Sequence, residues 1–533
     1  MSIDAQSHRL WRHMAPGQRT AFFSCLIVGC LCHLFAFTNI IPNSDGLSRV
    51  FDLQQMTVSG RWFLHCASSL NSFTQMPVVI GLLSMLLLGL TAILVVDLLR
   101  MQSRVLCAVT GGVMAIFPCM GYTFLYMFTA SAYCLAIFLS VLSVWLAVRG
   151  RLGWLLGVIA LALSMGIYQA YATVAISLSL LVIFRQTMNP RATLSSTFQM
   201  GLKLVAYLAT GAVLYYGILL LILKVKNLEL LSYLGMDAAS GGYPFHQLPQ
   251  LLFQCYKQVV NFFFIPGSAN GFASWWMVGL DLIALLLGLI FFVVGMRHKG
   301  LWKSPWRVLG AVVIVALLPL GMNFMQILSP YSAPTPLMKY AFLSVYLLVL
   351  LTADLVDGLH QRQTFVRLSL GMCVLWSISL MMFCLNTNNL LYTASHQAHR
   401  ATESYATRLL ARIEGCPGYQ PGMEIAIVGA VPPEQIKSQI PSYQQVDHYS
   451  VPMHSVLPLN KHIYYYLNNW LNTPVDEPSE ETMSAISRSS AFRTMPKYPA
   501  EGSVQIIHGR VVVRMADEYT PKSDYEIAYE NRS

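Results

Sequence analysis

The chain has 533 residues, of which 55% are hydrophobic and 11% charged, with a formal charge of +10 at pH 7 and a mean hydropathy of +0.54. Soluble domains are about 25% charged, so too little polar surface is present to cover a water-soluble globule. The Lys and Arg residues stand in short groups between apolar runs. That pattern excludes a basic nucleic-acid-binding segment and matches the inner loops of a membrane protein.

Runs of about 20 apolar residues cross a bilayer as helices, because lipid offers the backbone no hydrogen-bond partner. The first run covers 20–41 and follows Arg9, Arg12 and Arg19, which place the N-terminus in the cytoplasm. Ile27-Val28-Gly29-Cys30 resembles a lipoprotein cleavage box, but the run continues to Ile41 and reads as an uncleaved span. Spans follow at 77–99, 105–121 and 124–148, the last two meeting at Pro118-Cys119-Met120-Gly121. The stretch 152–184 is too long for one span and divides near Gly166-Ile167-Tyr168-Gln169. The remaining spans are 204–223, 274–296, 308–328, 338–356 and 366–386. About eleven spans result, and the basic groups after every even one fall on the side of the N-terminus.

This predicts an α-helical polytopic domain over 1–386 and a small α+β domain over 387–533 outside the cytoplasm. The tail is polar and broken by Pro432-Pro433, Pro474 and Pro478. Strands are expected at Glu424–Val428 and Val504–Ile507, the latter turning at His508-Gly509 into Arg510–Arg514. A helix is expected over 459–472 and a flexible linker over 473–490. The eleven cysteines lie almost wholly within or beside apolar runs, with only Cys416 in the tail, so no disulfide framework is expected there. Neither a CxxC pair nor a His-rich cluster suggests a metal centre.

The first outer loop, 42–76, contains Pro42-Asn43-Ser44-Asp45-Gly46-Leu47-Ser48-Arg49-Val50-Phe51-Asp52 and then Ser59-Gly60-Arg61-Trp62. Asn43 or Ser44 can cap a helix that Gly60 ends. On it Asp45, Arg49 and Asp52 share one stripe, which suits either a solvated face or a site. A carboxylate there can act as general base toward a hydroxyl, and an arginine can grip a phosphate through two hydrogen bonds. Lys339, at the outer start of the tenth span, either meets a lipid phosphate or snorkels to the interface. Tyr168, Gln169 and Tyr171 either hold sugar or belong to an interfacial aromatic belt; Trp275 and Trp276 read as belt. Asp97 is close enough in sequence to pair with Arg100, and Asp281 falls within a span, where a carboxylate suggests function.

The acid in the first outer loop, the juxtamembrane helix, Ser59-Gly60-Arg61-Trp62 and Gly166-Ile167-Tyr168-Gln169-Ala170-Tyr171 together resemble the Gtr-type serotype-converting glucosyltransferases, of GT-C architecture. The resemblance covers the first 200 residues best. It implies undecaprenyl-phosphate-glucose as donor and lipopolysaccharide O-antigen as acceptor, on the periplasmic face of the bacterial inner membrane. Asp45 resembles the family's loop acid and Arg61 the arginine of its Gly-Arg-Trp motif. Many relatives carry two adjacent acids where this chain has Ser44-Asp45, so Asp52 is a reserve candidate. The implied reaction is direct displacement: Asp45 takes the acceptor proton, and Arg61, Arg49 or Lys339 stabilises the leaving lipid phosphate. With those cations on the chain, no metal or other cofactor is expected. Two alternatives stay open, a transporter or flippase of lipid-linked sugars and a GT-C enzyme with another sugar or acceptor.

Overall fold

The computed structural model describes residues 14–47, 57–71, 76–230, 245–330, 334–359, 363–436, 440–446, 457 and 460–520. Eleven helices among them are long and apolar enough to cross a membrane: α1 (Pro16–Thr38), α2 (Pro77–Leu98), α3 (Arg104–Leu125), α4 (Met127–Ala147), α5 (Gly150–Ile167), α6 (Gln169–Thr187), α7 (Leu194–Lys226), α8 (Trp275–His298), α9 (Pro305–Met322), α10 (Tyr340–Asp357) and α11 (Thr364–Glu414). The chain is a polytopic helical membrane protein of GT-C-like fold with a small C-terminal sheet. Contacts divide it into two compact units, one within Met1–Asn39 and Gln54–Asn389, the other within Ile40–Leu53 and Leu390–Ser533.

In the first unit α1 packs on α2 and α3, α4 on α5, α6 on α9 and α8 on α10. Without a hydrophobic force between helices in lipid, close approach supplies the packing. Gly111 shows it: a Cβ there would lie 2.1 Å from the Ala21 carbonyl oxygen. The helices keep apolar side chains outward, among them Leu31, Leu202 and Val213. Trp275 and Trp276, 80% and 83% exposed at the start of α8, match the expected aromatic belt.

Pro118 does not separate two spans, as the sequence suggested, but breaks α3 from within, dividing it into Arg104–Ile116 and Pro118–Leu125. Proline removes a donor and interrupts the ladder, which frees the carbonyls of Met114, Ala115 and Ile116. Each is taken up by another helix: Tyr340 Oη donates to Met114 O at 2.8 Å, His33 Nε2 to Ala115 O at 2.9 Å and Asn388 Nδ2 to Ile116 O at 2.8 Å. A backbone break at membrane depth is tolerated only with such replacement.

Two helices outrun their expected spans. α7 has 33 residues, not the twenty of 204–223, so at 1.5 Å per residue it is about 50 Å long. α11 has 51 residues and continues past 386 into the second unit.

In the second unit β1 (Ile425–Val428), β2 (Val504–Ile507) and β3 (Arg510–Arg514) form a sheet of order β1-β3-β2, with β1 parallel and β2 antiparallel to β3. The β2–β3 turn is His508-Gly509, both with positive φ (51° and 76°), as a two-residue hairpin requires. Alternation sorts the side chains into two faces. Ile425, Ile427, Val511 and Val513 pack with Tyr405, Leu409 and Ile413 of α11. Ala426, Val428, Val512 and Ile507 pack with Met483 and Ile486. Those last two residues correct the linker expectation: Glu480–Arg488 is a helix capped by Ser479, and it covers a sheet face. The helix expected over 459–472 is Asn460–Tyr465 followed by a wider turn, Tyr466–Trp470.

Candidate functional site

Two motifs far apart in sequence form one assembly in the first unit. The α5–α6 junction opens at Tyr168, which is extended, and resumes as a tight turn over Gln169–Tyr171. The loop Ser59–Phe63 docks on it. Phe63 N–H donates to Gly166 O at 2.8 Å. Gln169 Nε2 donates to Ser59 O at 3.0 Å and to Tyr215 Oη at 2.8 Å, and Tyr215 Oη donates to Gly60 O at 3.0 Å. Trp62 lies on Gly166, where a Cβ would come within 2.7 Å of the indole, and stacks toward Tyr215 at 6.5 Å. Gly60, at φ 81°, makes the turn that delivers Arg61.

Arg61 is half-buried, its guanidinium 4.6 Å from the centre of the Tyr168 ring, and its Nη1 donates to Tyr133 Oη at 3.4 Å. Tyr133 stacks on Tyr168 at 4.9 Å, and Tyr171 meets both rings edge-on at 6.0 and 5.5 Å. Tyr168, Gln169 and Tyr171 are all buried in protein, not lying in a lipid-facing belt. The fold thus places the Arg61 guanidinium on a stack of buried aromatic rings. Gln169 serves as the strut that holds the loop. Tyr133 and Tyr215 were not singled out from the sequence, where each is one more aromatic in an apolar run.

Asp45 belongs to the second unit. It sits in the short turn Ser44–Leu47, where Asn43 Oδ1 accepts from Gly46 N–H at 2.7 Å. Leu47 is fully buried in the core of that unit, and its carbonyl accepts from Asn469 Nδ2 at 2.9 Å. Asp45 alone among residues 43–47 is exposed. A carboxylate is therefore presented to solvent on an anchored backbone. Arg49 and Asp52 lie outside the described residues.

Lys339 is buried rather than snorkelling, its Nζ donating to Asn270 O at 3.0 Å, with the rings of Phe262 and Phe342 about 6 Å away. Burial pushes its ammonium down to about 8. Asp281 is also buried, accepting from Tyr346 Oη at 2.7 Å. Asp97 does not pair with Arg100. It pairs with Arg149 and accepts from Gln18 Nε2 at 2.9 Å and Trp145 Nε1 at 2.8 Å, while Arg100 holds a left-handed backbone conformation, φ 53°.

Comparison with curated proteins and with solved structures gave no match. A family model described as Glucosyl transferase GtrII matches residues 34–352. That stretch carries Asp45, the Ser59–Trp62 loop, the Gly166–Tyr171 turn and Lys339. With more than half the chain matched and the helical membrane fold in place, the protein belongs to the GtrII glucosyltransferase family.

Proposed function

We propose that this glucosyltransferase takes glucose from undecaprenyl-phosphate-glucose and transfers it to lipopolysaccharide O-antigen on the periplasmic face of the bacterial inner membrane. The observation that carries the reading is the docking of the Ser59–Phe63 loop on the α5–α6 turn, which sets Arg61 against Tyr168 and Tyr133. A lipid-linked donor presents a phosphate next to a hexose ring, and this assembly pairs a half-buried guanidinium with packed aromatic rings. Arg61 holds the phosphate and stabilises charge on it as it leaves; Tyr168 and Tyr171 support the sugar. Asp45, exposed on its anchored turn, accepts the proton of the attacking acceptor hydroxyl, with Asp52 in reserve. The periplasmic side rests on the basic groups that follow each even-numbered span.

The test is transfer by the purified protein in zwitterionic nanodiscs, given undecaprenyl-phosphate-glucose or a soluble nucleotide-glucose with O-antigen as acceptor. Transfer is expected only from the lipid-linked donor; transfer from the nucleotide sugar alone overturns the reading.

Lys339 is proposed as a further phosphate-binding cation. Above pH 8 its proton is increasingly lost, so the cation disappears and donor affinity falls, approaching tenfold per pH unit well above that value. Lys339→Arg keeps its charge throughout this range and is expected to flatten the falling limb of a donor-binding titration from pH 7 to 10.

A further inference from the structure

At the far end of the same helices lies a cavity of about 530 Å³. α6 starts at Gln169 in the Arg61 assembly and carries Arg185 in its last turn, roughly 24 Å away along the helix axis. The cavity is lined by Arg100, Arg149, Arg185, Arg191 and Lys299, with Asp97 as its one carboxylate. That carboxylate is already engaged by Gln18, Trp145 and Arg149. Nearby Asp354 is occupied by the backbone N–H groups of Gln102 and Ser103, at 2.9 and 2.8 Å.

Arg149 is paired with Asp97, and Arg185 and Lys299 share the charge of nearby Asp354, so five cations at the cavity face two carboxylates. Arg185 Nε donates to Leu99 O at 3.1 Å, while its two terminal nitrogens have no hydrogen-bond partner among the described residues. The loop bearing Arg191 is fastened by Arg307, which donates to the carbonyls of Thr187, Asn189, Pro190 and Ala192 at 2.8, 2.7, 3.2 and 2.5 Å. Arg149 stacks on Trp145 at 3.5 Å. Lys299 has its ammonium pushed down by burial and then by Arg185, the mark of cations crowded together. Arg100 keeps a left-handed conformation that a non-glycine residue adopts only when its surroundings demand it.

We propose that this cavity binds an esterified phosphate group, separate from the glucosyl-transfer site. Basic pockets between membrane helices suit lipid phosphate headgroups, and the volume falls in the range of ligand sites while far exceeding bare phosphate. A membrane phospholipid and a soluble phosphate ester share that chemistry, and the experiment separates them.

Full-length protein in phosphatidylcholine nanodiscs is titrated at constant ionic strength with phosphatidylglycerol or with glycerol 3-phosphate. Occupancy is read by native mass spectrometry and thermal stabilisation. One saturable equivalent is expected. Arg191→Gln, whose side chain makes no hydrogen bond among the described residues, is expected to weaken it about tenfold with glucosyl transfer unchanged. Arg185→Gln combined with Lys299→Gln is expected to abolish it. Saturation by phosphatidylglycerol alone assigns the site to a lipid, and saturation by glycerol 3-phosphate assigns it to a soluble ester. Absence of saturable binding by either probe, or equal binding by wild type and Arg191→Gln, overturns the proposal.

Discussion

Replacing Asp45 with asparagine is expected to lower the rate of glucosyl transfer about 10²–10⁴-fold, the contribution of a positioned general base. The substitution keeps the shape of the side chain and removes only its capacity to take a proton. The turn that holds it depends on Asn43, Leu47 and Asn469, not on the Asp45 carboxylate. Because Asp45 is exposed, stability should change by less than about 0.5 kcal/mol, and donor binding should persist. Single-turnover transfer with saturating undecaprenyl-phosphate-glucose, alongside a melting curve, reads both. Transfer within a factor of a few of wild type would remove Asp45 from the mechanism and direct attention to Asp52.

Arg61→Ala is expected to cost about 10²–10³-fold in kcat, the usual effect of deleting a group that stabilises charge developing in the transition state. Arg61→Lys should recover only part of this, since lysine restores a charge but neither the flat stack on Tyr168 nor two-pronged phosphate binding. Tyr168→Phe keeps the ring under the guanidinium and should be mild, whereas Tyr168→Ala should lose the cation–π support and empty a buried ring site, about 3–5 kcal/mol. A structural role for the loop is separable from these effects. Gln169→Leu removes the donor to Ser59 O and leaves buried polar groups unpaired, costing about 1–3 kcal/mol of stability. Arg61→Ala should lower stability only by the lost cation–π contact, about 0.5–2 kcal/mol, while transfer collapses. Equal losses of stability in both variants would make Arg61 a packing residue.

Much of the membrane architecture is legible residue by residue. An apolar run of span length has one outcome in lipid, and the Arg and Lys groups mark the ends of the helices. The β2–β3 hairpin is equally local, because His508-Gly509 between two alternating runs specifies a two-residue turn. The helix Glu480–Arg488 escaped notice for the opposite reason. Its nine residues are short and polar, and only Met483 and Ile486 against the sheet stabilise it. The overlong α11 was missed because hydropathy reports where lipid ends, not where a helix does.

The sequence by itself determined that the chain crosses a membrane many times, that a small sheet follows the spans, and that an acid, an arginine and a tyrosine-rich turn stand at their ends. Those conclusions follow from periodicity, length and side-chain chemistry, which act over a few residues. Only the tertiary structure decided that Arg61 stacks on Tyr168, that Gln169 and Tyr215 pin its loop, and that Asp97 pairs with Arg149 rather than Arg100. It also decided that His33, Asn388 and Tyr340 replace the hydrogen bonds lost at Pro118. In each case a polar group in an apolar setting must find a partner, and which partner it finds depends on which helices pack together.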